Sequence, residues 1–191
     1  DRCPLSLHDG LPLSRPYPLS SDGWTPQVAE LRSVSLGLPG GTQLADGVTF
    51  AGGLQISAAS TSPLHSLSDL KLTGDGGFVT VSDTGDLVRG DIRLDAGGRL
   101  AGLDHFRSRR LTLQDGAAIS DKSDGDAEGL TITPSGDLLV SFERRHRIWN
   151  YGPPSALKTQ PSPVRSPDFA FTENDGRSEE HTSELQSLAY L

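Results

Sequence analysis

SDLKLTGDGGFVTVSD, residues 68–83, and EGLTITPSGDLLVSFE, residues 128–143, are one pattern written twice, 60 residues apart and without a gap. Leu70 matches Leu130, Leu72 matches Ile132, Thr73 matches Thr133, Gly76 matches Gly136 and Val79 matches Leu139. Each copy alternates apolar residues, turns at a glycine, runs out a second strand and ends on a carboxylate, Asp83 or Glu143. Alternation on both sides of a glycine turn marks a β-hairpin. In the second copy Leu138, Val140 and Phe142 share one strand face, and Leu139, Ser141 and Glu143 share the other. A strand this apolar is expected to be buried on both faces, which places Glu143 at a rim. Recurring β units with tight polar turns predict propeller blades of four strands. Blades usually recur every ~40–50 residues, so the excess predicts a long insertion at about 95–127. The fold class expected is all-β, a partial β-propeller holding about three blades of a larger ring.

The rest of the chain agrees with a turn-rich β protein. Its 191 residues include 22 glycines and 13 prolines, and no amphipathic helical stretch of good length precedes residue 176. Residues 1–27 are rich in Pro, Leu and Ser without a clean period and read as an irregular leader or linker. Short strands are expected from Val28 onward: Val34, Leu36 and Leu38 alternate, and GVTFAGGLQIS is broken at Gly52-Gly53. The blade domain is expected over 28–176. Residues 177–187, RSEEHTSELQS, match the translated reading frame of a common sequencing-library adapter, and 177–191 is therefore expected to be artefact rather than fold. The chain has no methionine and begins at Asp1, which predicts a piece of a longer product.

The net charge of −8 argues against a general nucleic-acid binder, which would carry a basic face, and permits a cation site. The lone cysteine, Cys3, excludes an internal disulfide, and no apolar run reaches transmembrane length. There is no G-x-S-x-G elbow, no Gly-rich phosphate loop with its lysine, and no zinc spacing among the five histidines.

Two kinds of charge remain. DKSDGDAEG places Asp121, Asp124, Asp126 and Glu128 within eight positions, the all-oxygen donor set that a hard cation such as Ca²⁺ takes. The stretch opens like an EF-hand loop, but Ser135 stands at its twelfth position and a strand follows, so an EF-hand is rejected. A loop calcium site and a solvated acidic loop both remain open, as do a metal ligand and a salt bridge for Glu143. The bases cluster as Arg107, Arg109, Arg110 and as Arg144, Arg145, His146, Arg147. An arginine fork grips phosphate in two places, so Arg109, Arg110, Arg144 and Arg147 are candidate substrate-binding residues. Pairing with surface acids is the alternative.

LVSFERRHRIWNY preceded by DAEGL, together with FVTVSDTGDLVRGDI, resembles the family described by the esterase-like activity of phytase, over about residues 45–152. The resemblance implies an exported or periplasmic β-propeller, distantly similar to phytases whose rim carboxylates bind Ca²⁺ and a phosphate monoester. The matching positions are Asp83, Glu128 and Glu143, to which the acidic loop adds Asp124 and Asp126 as candidate metal ligands. SDL at 68–70 departs from the Ser-Gly-Leu usual in the family, and Glu143 is followed by bases where phytases carry more acids. The expected function is metal-dependent hydrolysis of phosphate esters with calcium as cofactor and a small anionic molecule as partner. No nucleic acid, no membrane span and a monomeric complete protein are also expected; catalytic residues are not assigned. The alternative is a propeller that binds a ligand without catalysis.

Overall fold

The structure, a computed structural model, describes residues 22–36 and 43–165. In chain order its elements are β1 (Thr25–Pro26), β2 (Glu30–Val34), β3 (Gln43–Ala45), β4 (Val48–Thr49), β5 (Gly53–Ser57), β6 (Leu67–Leu72) and β7 (Gly77–Ser82). They continue as β8 (Asp86–Leu94), β9 (Leu100–Arg110), the single-turn α1 (Lys122–Gly125), β10 (Ala127–Ile132), β11 (Leu138–Phe142), β12 (Arg147–Asn150) and β13 (Ser162–Val164). Two antiparallel meanders carry the fold. One sheet has the order β1-β9-β8-β7-β6, and the second has the order β10-β11-β12-β13. The pairs β2–β5 and β3–β4 form two-stranded sheets. None of the sheets closes on itself, and the all-β, partial-propeller class expected from the repeat is what is seen.

The repeat is structural down to single hydrogen bonds. Thr73 N–H donates to Gly77 at 2.9 Å as Thr133 N–H does to Asp137 at 2.9 Å. Gly76 N–H closes on Thr73 as Gly136 N–H closes on Thr133. Gly76 and Gly136 sit at φ 86° and 88°, a region that a side chain makes costly, which is why both turns need glycine. Asp83 N–H reaches Ser66 O, and Glu143 N–H reaches Asp126 O, again 60 residues apart.

The sheets meet through one apolar core. Val79, Val81 and Leu87 of the first sheet pack with Leu130, Leu138, Val140, Phe142 and Trp149 of the second. All five residues of β11 are buried, as its composition predicts: Leu138, Val140 and Phe142 enter this core, and Leu139 packs with Ile148 on the other face. Facing edges are joined by polar bonds as well. Strand β10 ends its sheet, so its outward N–H groups lack ladder partners. Asp69 of β6 accepts one of them, Leu130 N–H, at 3.0 Å. Asp69 holds φ 46°, at the position where the sequence departs from Ser-Gly-Leu; aspartate tolerates this left-handed region better than most residues and adds the bond that glycine cannot make.

Two expectations are corrected. Residues 95–127 are not an insertion: 95–99 turn the chain, and β9, eleven residues long, is the fourth strand of the meander. Only the connection after Arg110, with one isolated bridge between Thr112 and Ala118 and the turn of α1, adds length. The reading of 1–27 as irregular fails at its end. Trp24 is 1% exposed in the main core, and β1 pairs with β9 through Thr25–Ser108 and Pro26–Arg107. Residues 1–21 and the tail 177–191 lie outside the described residues.

Candidate functional site

The hairpin ends that carry the predicted acids fall on one rim. Asp83 follows β7, Glu143 follows β11, and α1 with the start of β10 brings Asp121, Asp124, Asp126 and Glu128. The β7–β8 turn rests against α1: a Cβ on Gly85 would stand 3.2 Å from Gly125 Cα and 3.0 Å from the Ile119 side chain. Close backbone approach of this kind explains how acids from two sheets come to share a neighbourhood.

Glu128 is the focus of the group. It is half-buried, and Ser68, its equivalent one repeat earlier, donates to Oε2 at 2.8 Å. Burial pushes the Glu128 carboxyl above the ordinary glutamate range. The charges of Glu143, Asp126 and Asp83 push it further in the same direction, and the Ser68 hydrogen bond only partly offsets this. Four of the five candidate metal ligands, Asp83, Asp126, Glu128 and Glu143, thus lie near enough for their charges to act on Glu128.

It did not foresee what balances them. Lys122 Nζ lies 2.8 Å from Asp83 Oδ2 and 3.9 Å from Asp126 Oδ1. Arg144 Nε is 2.5 Å from Asp126 Oδ2, and Arg145 Nη1 is 2.7 Å from Asp124 Oδ1. Asp121 caps α1 by accepting Ser123 N–H at 2.6 Å. Among the described residues no group of three His, Cys, Asp or Glu is arranged to hold a metal ion. One acceptor is left over: Asp83 Oδ1 is buried without a hydrogen-bond partner.

The arginines divide. Arg110 pairs with the buried Asp86 at 3.2 Å and bonds Thr84 O; burial raises the Asp86 carboxyl, which Arg110 opposes. Arg109 donates to Asp22 O at 3.2 Å. Arg147 is half-buried, 4.0 Å from the Phe142 ring centroid and 4.4 Å from that of Trp149, and donates to the carbonyls of Arg145 and Asp124. Stacking of this kind holds the sheet surface together. Arg110 and Arg144 keep about half of their side chains in solvent on the acidic rim. The participants the sequence reading missed are Ser68, Lys122 and Asp86. The 60-residue offset, which lays Ser68 on Glu128, was the signal for the first; Lys122, the sole base in its acidic run, was the signal for the second.

Meanders of antiparallel strands, joined edge to edge and carrying a charged rim at their turn ends, define a propeller-type β domain. The chain belongs to the phytase-like family: the family model described as "Esterase-like activity of phytase" matches residues 62–186. That span opens just before β6 and takes in both copies of the repeat. No curated protein and no solved structure matches the chain.

Proposed function

We propose that the chain is a phytase-like hydrolytic domain whose acidic rim works on phosphate esters with the help of Ca²⁺. The observation that carries this reading is the convergence of Asp83, Asp126 and Glu143 on the half-buried Glu128. The donor set is all oxygen, which suits a hard cation, and the buried Asp83 Oδ1 has no partner. In this reading Asp83, Glu128 and Glu143 would have to close on the ion, since as they stand no three acids among the described residues are arranged to hold one, and the solvent-exposed Lys122 would give way to it. Bound there, Ca²⁺ would supply charge neutralisation for the phosphoryl oxygens. Arg110 and Arg144 offer forked donors to the substrate anion from the same rim. Glu128, raised above an ordinary glutamate, is the residue best suited to hold or pass a proton. An exported location follows from the family reading, and no helix among the described residues is long and apolar enough to cross a membrane.

A second reading rests on Lys122. Its ammonium already stands between Asp83 and Asp126, which favours a rim balanced by its own bases and a domain that binds without catalysis. One experiment separates the two. Calcium is titrated into wild type and Glu143→Gln while the melting temperature and the hydrolysis of p-nitrophenyl phosphate are followed. The hydrolase reading expects a calcium-dependent rise in melting temperature, lost together with turnover in the variant. An absent shift, or an equal shift in both proteins, leaves the binding reading.

A further inference from the structure

The opposite end of the sheets carries a cleft of about 810 Å³, within the usual range for small-molecule sites. One side is the face of the first sheet that looks toward the second, with Arg89, Asp91, His105 and Arg107. The other side is Ile132 of the second sheet with Pro153 and Ser155 from the connection between β12 and β13, and the exposed Leu72 lines the cleft as well. The cleft takes in the turn at 73–77 and so lies at the other ends of the strands from Asp83 and Glu143.

Its charge arrangement is unusual. Arg89 on β8 stands directly opposite Arg107 on β9 in the ladder. Like charges in directly opposed positions destabilise a sheet. Arg107 has Asp22 at 4.0 Å, the limit of ion-pair reach. Arg89 has no ion pair among the described residues; its guanidinium stacks 4.4 Å from the Trp24 ring centroid. Asp75 lines the same cleft, and its Oδ1 is engaged by the Thr73 hydroxyl at 2.5 Å and by Gly77 N–H at 3.3 Å. Beyond this pair the ladder slips, so that Asp91 faces Asp104, and His105 takes φ 50° and places Nδ1 2.7 Å from Asp91 Oδ2 at the cleft mouth. Bulges that redirect a side chain are frequent beside binding sites.

We propose that this cleft binds a small organic oxyanion, its carboxylate or phosphate held between Arg89 and Arg107 and its apolar body against Leu72, Ile132 and Pro153. A stacked guanidinium is pre-positioned, and its fork matches two oxygens of the anion. The anion also relieves the repulsion between opposed arginines. This site is independent of the acidic rim and stands whether or not that rim is catalytic.

The test is isothermal titration of the whole chain with inorganic phosphate in one arm and hexanoate in the other. Saturable binding is expected in at least one arm, and the arm that saturates identifies the oxyanion. Arg107→Gln and Arg89→Lys, the latter keeping charge while losing the fork, are expected to bind about tenfold more weakly or worse. Arg93→Gln, on the same strand but paired with Asp104 away from the cleft, is expected to bind as wild type does. No saturation in either arm overturns the proposal. So does hexanoate binding, or phosphate binding, that is unchanged in both Arg107→Gln and Arg89→Lys.

Discussion

Glu128 is held between burial and three like charges, so its stability effect has a definite sign. Its carboxyl is raised in the folded state, which means the folded chain binds a proton that the unfolded chain has already released. Between the unfolded and folded values stability falls as pH rises, and above the folded value the full penalty is present. Glu128→Gln keeps the acceptor for Ser68 and removes that penalty. In calcium-free buffer the variant is expected to melt higher than wild type at pH 8, with the gap closing at about pH 4, where both side chains are neutral. Paired melts at the two pH values check this, and a variant that melts lower at pH 8 refutes it. The acids were legible because chemistry is written in residue type: carboxylates recurring at strand ends stand out in a line of text. Their partners were not, because Lys122 reaches Asp83 across 39 positions and Arg144 reaches Asp126 across 18, separations that only folding sets.

The elements that alternate were legible, and the one that does not was missed. Strands β7 and β11 announce themselves through a repeated hydrophobic pattern, but β1 is two residues long, includes a proline, and offers no period. Proline is tolerated there because β1 is an edge strand of its sheet. What secures the element is Trp24, buried beside it and covered by Arg89. Gln27 extends the attachment, giving its N–H to Phe106 O at 2.8 Å and its side-chain amide to Ser108 Oγ at 2.9 Å. Trp24→Ala empties the largest fully buried side chain and is expected to cost about 3–5 kcal/mol. That is a large share of the ~5–15 kcal/mol typical of a folded domain. Urea unfolding of the variant measures the loss, and a cost under about 1 kcal/mol would mean that β1 is not part of the stable unit.

At the scale of the molecule the two large sheets have one core between them rather than one each. Neither can lose its partner without exposing Val79, Val81 and Leu87 on one side or Leu130, Val140 and Phe142 on the other. They are expected to unfold together. The two tryptophans offer the check, since Trp24 lies beside the first sheet and Trp149 in the second. Trp24→Phe and Trp149→Phe each leave one reporter, and their fluorescence transitions, each compared with circular dichroism of the same variant, are expected to coincide. A reporter that departs from its own dichroism curve would show the sheets to be separable. Propeller architecture was legible at this scale, because a repeat implies stacked copies of one unit. The length of a copy was misread, because a nine-residue and an eleven-residue strand, β8 and β9, fill space that a shorter blade leaves to loops. The pairing of β1 with β9 also has a temporal side. A ribosome delivers Trp24 long before Ser108, its neighbour's rung on the ladder, so β1 cannot take its place until β9 has been made. Until β9 arrives the nascent chain carries a bare indole and an unmatched strand, a waiting interval in which a chaperone has something to hold.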